Sequence, residues 1–297
     1  MNHCYGLAFL ILAYSVGHQC GLPHCLSYIN ETWDLLEKYY FEPAYNLYRD
    51  EADANFIFTS YRGQNANMHM CEAMLQAYEA TKEIRFLERA YQIAYAISYT
   101  QANKTDNLVW EHYYENWEPD YDYHKDEPKH LFRPWGYQPG HQIEWSKLLL
   151  ILLQYLLRLS GFDLSDRTLY RNAHGTVKGN NIEMTMDWIF PRSKELFDRA
   201  FQYSWDPEYG GLCYGFAPGD YSVCDDDKYY WVQAEALATL SWLIYCSEGE
   251  ERLQYLDKYN NLWKYCWDHF IDHNHGAWFR ILRVFNISIS FTSPNRT

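Results

Sequence analysis

The sequence predicts an all-α protein built as an array of helical hairpins. Three observations predict it. Helical apolar periodicity runs through most of the 297 residues. Consecutive helices are joined by short polar breaks. An aromatic turn recurs between the hairpins. The periodicity places helices near 4–17, 24–41, 64–81, 84–102, 140–159, 186–203, 228–247 and 250–269. Thr81-Lys82-Glu83 and Ser247-Glu248-Gly249 are too short and too polar to be anything but hairpin breaks. The recurring turn reads Phe41-Glu42-Pro43 then Leu47-Tyr48, Trp205-Asp206-Pro207 then Gly210-Gly211-Leu212, and Phe270-Ile271-Asp272 then Gly276-Ala277-Trp278. Asp106-Asn107-Leu108-Val109-Trp110 is a weaker copy. Aligning Leu47, Leu108, Leu212 and Ala277 gives separations of 61, 104 and 65 residues. A fixed unit of helix, aromatic turn, helix and short break indicates a repeat architecture. Such an array can close into a toroid whose inner helices turn their first residues toward a central cavity.

The long interval holds two extra loops, about 112–138 and 160–184. The second is polar, rich in Gly, Asn and Asp, and has no apolar period. It reads as an inserted surface loop or as sequence foreign to the domain.

Composition sets the outer limits. With 25 Lys+Arg against 39 Asp+Glu the net charge is −14, which argues against nucleic-acid binding. Aromatic residues reach 19%. With a mean hydropathy of −0.50, many Tyr and Trp must sit with the ring in and the polar tip out. Gly6 to Val16 is apolar, but no Lys or Arg precedes it and it is too short to span a bilayer. It reads as a buried helix, not a leader. The eight cysteines include no C-x-x-C pair, so reduced thiols in a cytoplasmic protein are expected, with no zinc. Asn30, Asn103, Asn286 and Asn295 begin glycosylation triplets, but Asn30 lies inside a helical pattern, a poor place for a glycan.

Three helix starts carry dense polar chemistry. In Tyr61-Arg62-Gly63-Gln64-Asn65-Ala66-Asn67-Met68-His69-Met70-Cys71-Glu72, the residues Asn65, His69 and Glu72 share one face. In Arg133-Pro134-Trp135-Gly136-Tyr137-Gln138-Pro139-Gly140-His141-Gln142-Ile143-Glu144-Trp145, His141 and Glu144 stand three apart. A carboxylate one turn from an imidazole can fix its tautomer and tune it for acid–base work. In Asp225-Asp226-Asp227-Lys228-Tyr229-Tyr230-Trp231-Val232-Gln233-Ala234-Glu235, an indole and a carboxylate share a face suited to a sugar. Three consecutive aspartates point three ways on a helix. They are expected to cap it and complement its dipole, not to bind metal. No phosphate loop, nucleophile elbow or HExxH is present.

These three segments closely resemble the N-acylglucosamine 2-epimerase family, and in particular its mannose isomerase-like aldose–ketose isomerases. The resemblance runs from about His3 to Leu282, apart from 160–184. It implies an (α/α)6 barrel, a six-hairpin toroid, with about eight of its twelve helices in this chain. Residues 1–282 would be the partial barrel and 283–297 a divergent tail. It implies a monosaccharide substrate, mannose-like or N-acylglucosamine-like, and proton transfer at C2 without cofactor, metal, nucleic acid or membrane. Arg62, Asn65, His69, Arg133, Trp231 and Glu235 would bind the sugar. His141 would be the acid/base and Glu144 its orienting partner. The family carries a second acid/base histidine in an Asp-Tyr-His context further on, which the tail does not offer; His275 belongs to an aromatic turn. Relatives continue beyond both ends, so open flanks are expected on helices 4–17 and 250–269, with the chain alone prone to aggregate and inactive. A homodimer stays open. The alternatives are an inactive truncated member that keeps sugar or partner binding, and a glycoside hydrolase-like barrel using Glu144 and Glu235.

Overall fold

The computed structural model describes residues 2–283. Most of the divergent tail, with Asn286 and Asn295, lies outside the described residues. Among the described residues the helices are α1 (Cys4–Gln19), α2 (Cys25–Leu35), α3 (Gln64–Thr81), α4 (Ile84–Tyr95), α5 (Pro139–Leu159), α6 (Thr168–Arg171), α7 (Ile189–Ser204), α8 (Tyr230–Cys246) and α9 (Gly249–Tyr265). The sequence breaks fall where expected. Lys82 closes α3 in the left-handed conformation, with φ of 59°. α2, α4 and α9 each run on into a π-helical turn, Leu36–Tyr40, Ala96–Gln101 and Cys266–Phe270. No helix among the described residues is long and apolar enough to cross a membrane.

The chain divides into two units. Unit 1 comprises Met1–Tyr123 and Leu148–Ser193; unit 2 comprises His124–Lys147 and Lys194–Thr297. α5 begins in unit 2 and ends in unit 1.

In unit 1, α1 packs on α2 and α3, and α3 packs on α4. The core between them holds Met68, Met74, Phe86, Leu87 and Ile93, all fully buried. Arg89 lies over the ring of Phe41 and binds Glu37 at 2.7 Å. The exposed side of α1 shows Tyr5, Phe9, Leu10 and Val16. Two sequon asparagines are occupied: Asn30 Oδ1 accepts from Arg85 and Asn103 Oδ1 from Arg192, at 2.5 and 2.6 Å.

The 160–184 segment has structure of its own. Thr176–Lys178 pairs antiparallel with Glu183–Thr185, and Tyr170 and Met184 are fully buried. Glu88 on α4 holds the hairpin by accepting from the Asn181 backbone N–H and side-chain amide, at 2.7 and 2.9 Å. The segment is fastened to unit 1, although no apolar period announces it.

In unit 2, α8 packs on α9. Lys228–Tyr229 pairs with Ile281–Leu282, and Gly215–Phe216 with Val223–Asp225. α9 leaves Leu253, Leu256 and Trp263 exposed, and the π-helical turn after it Trp267.

The aromatic turns are short antiparallel pairs in both units: Phe41–Glu42 with Leu47–Tyr48, Ile271–Asp272 with Ala277–Trp278, and a single bridge between Trp205 and Leu212. Each inner helix grips its turn with one buried amide. Asn67 on α3 accepts the N–H of Tyr48 at 2.8 Å and donates to its carbonyl at 3.0 Å. Gln233 on α8 does the same for Leu212, at 2.9 Å both ways. A second device repeats as well. The basic residue before the inner helix pairs with the acid of the turn: Arg62 with Glu42, and Lys228 with Asp206 at 2.7 Å. These shared bonds are the physical content of the sequence repeat.

Candidate functional site

In unit 1 the polar cluster lies at the start of α3. Arg62–Gly63 pairs with His112–Tyr113, and the Gly63 N–H donates to Asp50 at 2.7 Å. Arg62 is buried. It clamps Glu42 through Nε and Nη2 at 2.9 and 3.0 Å, and its Nη1 donates to the carbonyls of Thr59 and Tyr61. Most of its five donors are thereby spent on holding the entry to α3. Asn65 follows in the first helical turn, and its buried Oδ1 has no hydrogen-bond partner among the described residues. One turn on, His69 is partly buried. Its Nδ1 lies 3.3 Å from Glu72, and the rings of Tyr5 and Phe9 stand 5.0 Å from its own. His112, which sequence reading did not single out, is buried where its strand pairs with Gly63 and shares a 2.9 Å hydrogen bond with the Tyr61 hydroxyl. Its signal was weak: one histidine in an irregular aromatic stretch.

In unit 2 the cluster joins the first turns of α5 and α8. Backbone bonds tie Tyr137 to Phe216 at 2.9 and 3.1 Å, fixing the chain as it enters α5. Gly136, at φ of 102°, leaves no room for a side chain: a Cβ there would lie 2.9 Å from the Phe216 carbonyl oxygen. His141 then sits in the first turn, partly exposed, with Glu144 one turn on and buried. The Trp231 ring lies 5.3 Å from the imidazole, tilted by 35°. Tyr214 meets that indole edge-on at 5.9 Å, so the ring is held from the side. Gly140 lets the indole come this close, since a Cβ would lie 2.4 Å from its Cη2. The Thr239 hydroxyl donates to the Ile143 carbonyl at 3.1 Å and fixes α8 against α5.

Glu235, one turn beyond Trp231, binds Lys147 at 2.5 Å. Lys147 is a further polar member that sequence reading missed, because only the fold places it against Glu235, 88 residues on. Gln138 is another. It is buried, and neither atom of its amide has a partner among the described residues. Arg133 lies in the loop before α5, where its N–H and C=O are held by His130 and His124 at 3.1 and 2.8 Å.

The aspartate triplet does not cap α8. Asp225 ends a strand, Lys228–Tyr229 forms another, and the residue before α8 is Tyr229. The three carboxylates gather around Lys129, 3.4 Å from Asp225, 3.7 Å from Asp227 and hydrogen-bonded to Asp226. Burial works against the ammonium, but the Asp226 bond and its neighbours hold Lys129 charged above the usual lysine range. Burial pushes Asp225 up from the usual carboxylate range. Lys129 supplies positive charge to this cluster. His275 is exposed and bound to Asp272 at 3.0 Å, as expected of a turn residue.

Each cluster thus offers unlike groups at a helix start. One has an amide oxygen and an imidazole. The other has an imidazole, a buried carboxylate, an indole face and an ion pair. Proton transfer needs the imidazole, and recognition of a polyhydroxylated ring suits the others.

Comparison with known proteins bears on this chemistry. The family model for N-acylglucosamine 2-epimerase matches residues 1–294. The chain is 47% identical over 283 residues to a D-mannose isomerase of Marinomonas mediterranea, covering 95% of this chain and 64% of that one. It is 28% identical to a D-mannose isomerase of Pseudomonas cannabina pv. alisalensis, covering 93% of this chain and 61% of that one. A crystal structure of D-mannose isomerase superposes with a TM-score of 0.82 at 44% identity, over 97% of this chain and 66% of that one. Cellobiose 2-epimerase from Spirochaeta thermophila superposes at 0.72 with 21% identity, over 97% of this chain and 64% of that one, and so shares the fold. The fold class is therefore all-α, of the (α/α)6 type. The chain spans about 61–64% of the length of the curated relatives it matches. It belongs to the N-acylglucosamine 2-epimerase family.

Proposed function

We propose that this chain carries part of the proton-transfer and sugar-binding apparatus of a sugar isomerase or 2-epimerase acting on a mannose-like monosaccharide. The observation that carries the reading is the start of α5 and α8: His141, with Glu144 one turn on and the Trp231 ring 5.3 Å away. His141 takes the proton from C2 of the open-chain aldose, leaving an enediol. Return of a proton to C1 gives the 2-ketose; return to the other face of C2 gives the epimer. Glu144, buried on the same face, orients the imidazole. Trp231 stacks on sugar C–H groups, and Glu235, fixed by Lys147, accepts hydroxyl protons. In unit 1, Asn65 and His69 bind hydroxyls, and the unpaired Asn65 Oδ1 supports an acceptor role. Arg62 shapes the entry to α3, and Arg133 contributes a cation from its loop. The relatives named D-mannose isomerase favour mannose as substrate and isomerisation over epimerisation. We place the protein in the cytoplasm, where its free thiols would persist.

The test is a chimera in which residues 1–282 replace the matching part of the Marinomonas enzyme. It is expected to convert mannose to its 2-ketose. A folded chimera that binds no mannose and converts none would refute the reading.

A further inference from the structure

A cleft lies wholly within unit 1, with a volume of about 440 Å³. That is within the range that holds a small molecule. Its walls come from the aromatic turn after α2, from the end of α4 with its π-helical turn, and from the hairpin of the 160–184 segment. Its chemistry is specific. Tyr45 and Tyr95 line it with exposed rings, 37% and 39% accessible. The Tyr95 ring is held rigid, stacked on Tyr99 at 4.9 Å and met edge-on by Trp188 at 5.3 Å. Three amides, Asn46, Gln92 and Gln101, also line it. Gln101 is 5% exposed, and its Oε1 is buried with no hydrogen-bond partner among the described residues. A buried acceptor left without a donor costs free energy unless a ligand or water supplies one. The π-helical turn Ala96–Gln101 brings this amide to the cleft; such turns recur at functional sites.

Charge selects the ligand. Lys104 on the rim is neutralised by Glu118 at 2.8 Å, and Glu183 also lines the cleft. The lining therefore disfavours an anion, and its rings and amides suit an uncharged molecule with one apolar face and many hydroxyls. We propose that this cleft binds a neutral pyranose unit at a non-catalytic site, its C–H face on Tyr45 and its hydroxyls on Gln101, Gln92 and Asn46.

The probe is methyl α-D-mannopyranoside, whose locked ring cannot open for isomerisation. It is titrated into the 297-residue chain by saturation-transfer NMR. Saturable binding is expected. Gln101→Leu should weaken it about three- to tenfold, the loss of one buried hydrogen bond. Tyr45→Ala, at an exposed ring, should weaken it about tenfold. Should Gln101→Leu fail to fold by circular dichroism, Tyr45→Ala decides alone. No saturable binding to the folded chain would overturn the proposal. So would binding that survives both substitutions and disappears in Trp231→Ala.

Discussion

Gly140 and Gly6 both lie near the start of a helix, yet the same substitution should act in opposite directions on them. At Gly140 an added Cβ would lie 2.4 and 2.5 Å from Trp231 ring carbons and 2.9 Å from Val232 Cγ2. Ordinary contact begins near 3.4 Å, so the indole must give by about 1 Å. Overpacking of this kind costs about 1–3 kcal/mol. The gain in helix propensity from glycine to alanine is about 0.5–1 kcal/mol. Strain wins, and Gly140→Ala should destabilise by up to about 2 kcal/mol. Gly6 is exposed in α1, and its Cβ would meet nothing within 4 Å. Only propensity acts there, so Gly6→Ala should stabilise by about 0.5–1 kcal/mol. Urea unfolding by circular dichroism gives the global change. Hydrogen exchange along α5 and α1 assigns it to the helix concerned. In the chimera, a 1 Å shift of the ring beside His141 should also cost roughly 10²-fold in kcat/KM. A Gly140→Ala protein as stable and active as wild type would show that the close approach of Trp231 to α5 constrains nothing.

Three further outcomes are expected. Gln233→Ala removes two bonds to buried Leu212 and a third to the part-buried Tyr229 carbonyl; at about 1–3 kcal/mol for each of the two stranded Leu212 groups, the loss should be about 2–6 kcal/mol, with faster exchange of the Leu212 amide. Asp206 is held below the usual carboxylate range: burial opposes its charge, but Lys228 and the N–H groups of Tyr209 and Glu208 outweigh it. With a folded pKa below the unfolded one, its stabilisation is present above the unfolded value near 4 and is lost as pH falls through the folded value. Asp206→Asn should therefore flatten the acid limb of the stability curve and, by stranding buried Lys228, cost about 3–5 kcal/mol at neutral pH; an unchanged acid limb would count against the pair. Burial pushes the thiols of Cys213, Cys246 and Cys266 up to about 12, whereas Cys20 is exposed, so iodoacetamide at pH 8 should label Cys20 first and those three only on unfolding, as read by peptide mass spectrometry.

Local and periodic features of the fold are legible in the sequence. α3 and α8 begin and end within two residues of the apolar pattern, and α4 and α9 do so once the π-helical turns Ala96–Gln101 and Cys266–Phe270 that continue them are counted; Lys82 and Ser247-Glu248-Gly249 stop helices by local chemistry. The aromatic turns before α3 and α8 are legible as repeats, since both present an acid and a strand backbone to the same two kinds of anchor. Long-range pairing was not legible. The aspartate triplet looks like a helix cap until Lys129, 97 residues from Asp226, is placed against it. The polar loop 160–184 hides a hairpin because its anchor, Glu88, is 93 residues from Asn181. Arg62 reads as a cation for a ligand, yet its guanidinium is committed to Glu42 and two carbonyls. Lys147 is not legible as a site residue because its partner Glu235 is 88 residues away.

The measurement that bears most directly on the proposed chemistry is proton exchange at the sugar. The folded chimera is incubated with D-mannose in D2O, and loss of the C2 proton signal is followed by NMR, with wild-type residue 141 and with His141→Ala. If His141 is the base, the substitution should slow exchange by about 10²–10⁴-fold while circular dichroism and mannose binding stay near wild type. Exchange at the wild-type rate in a folded His141→Ala chimera would contradict the assignment.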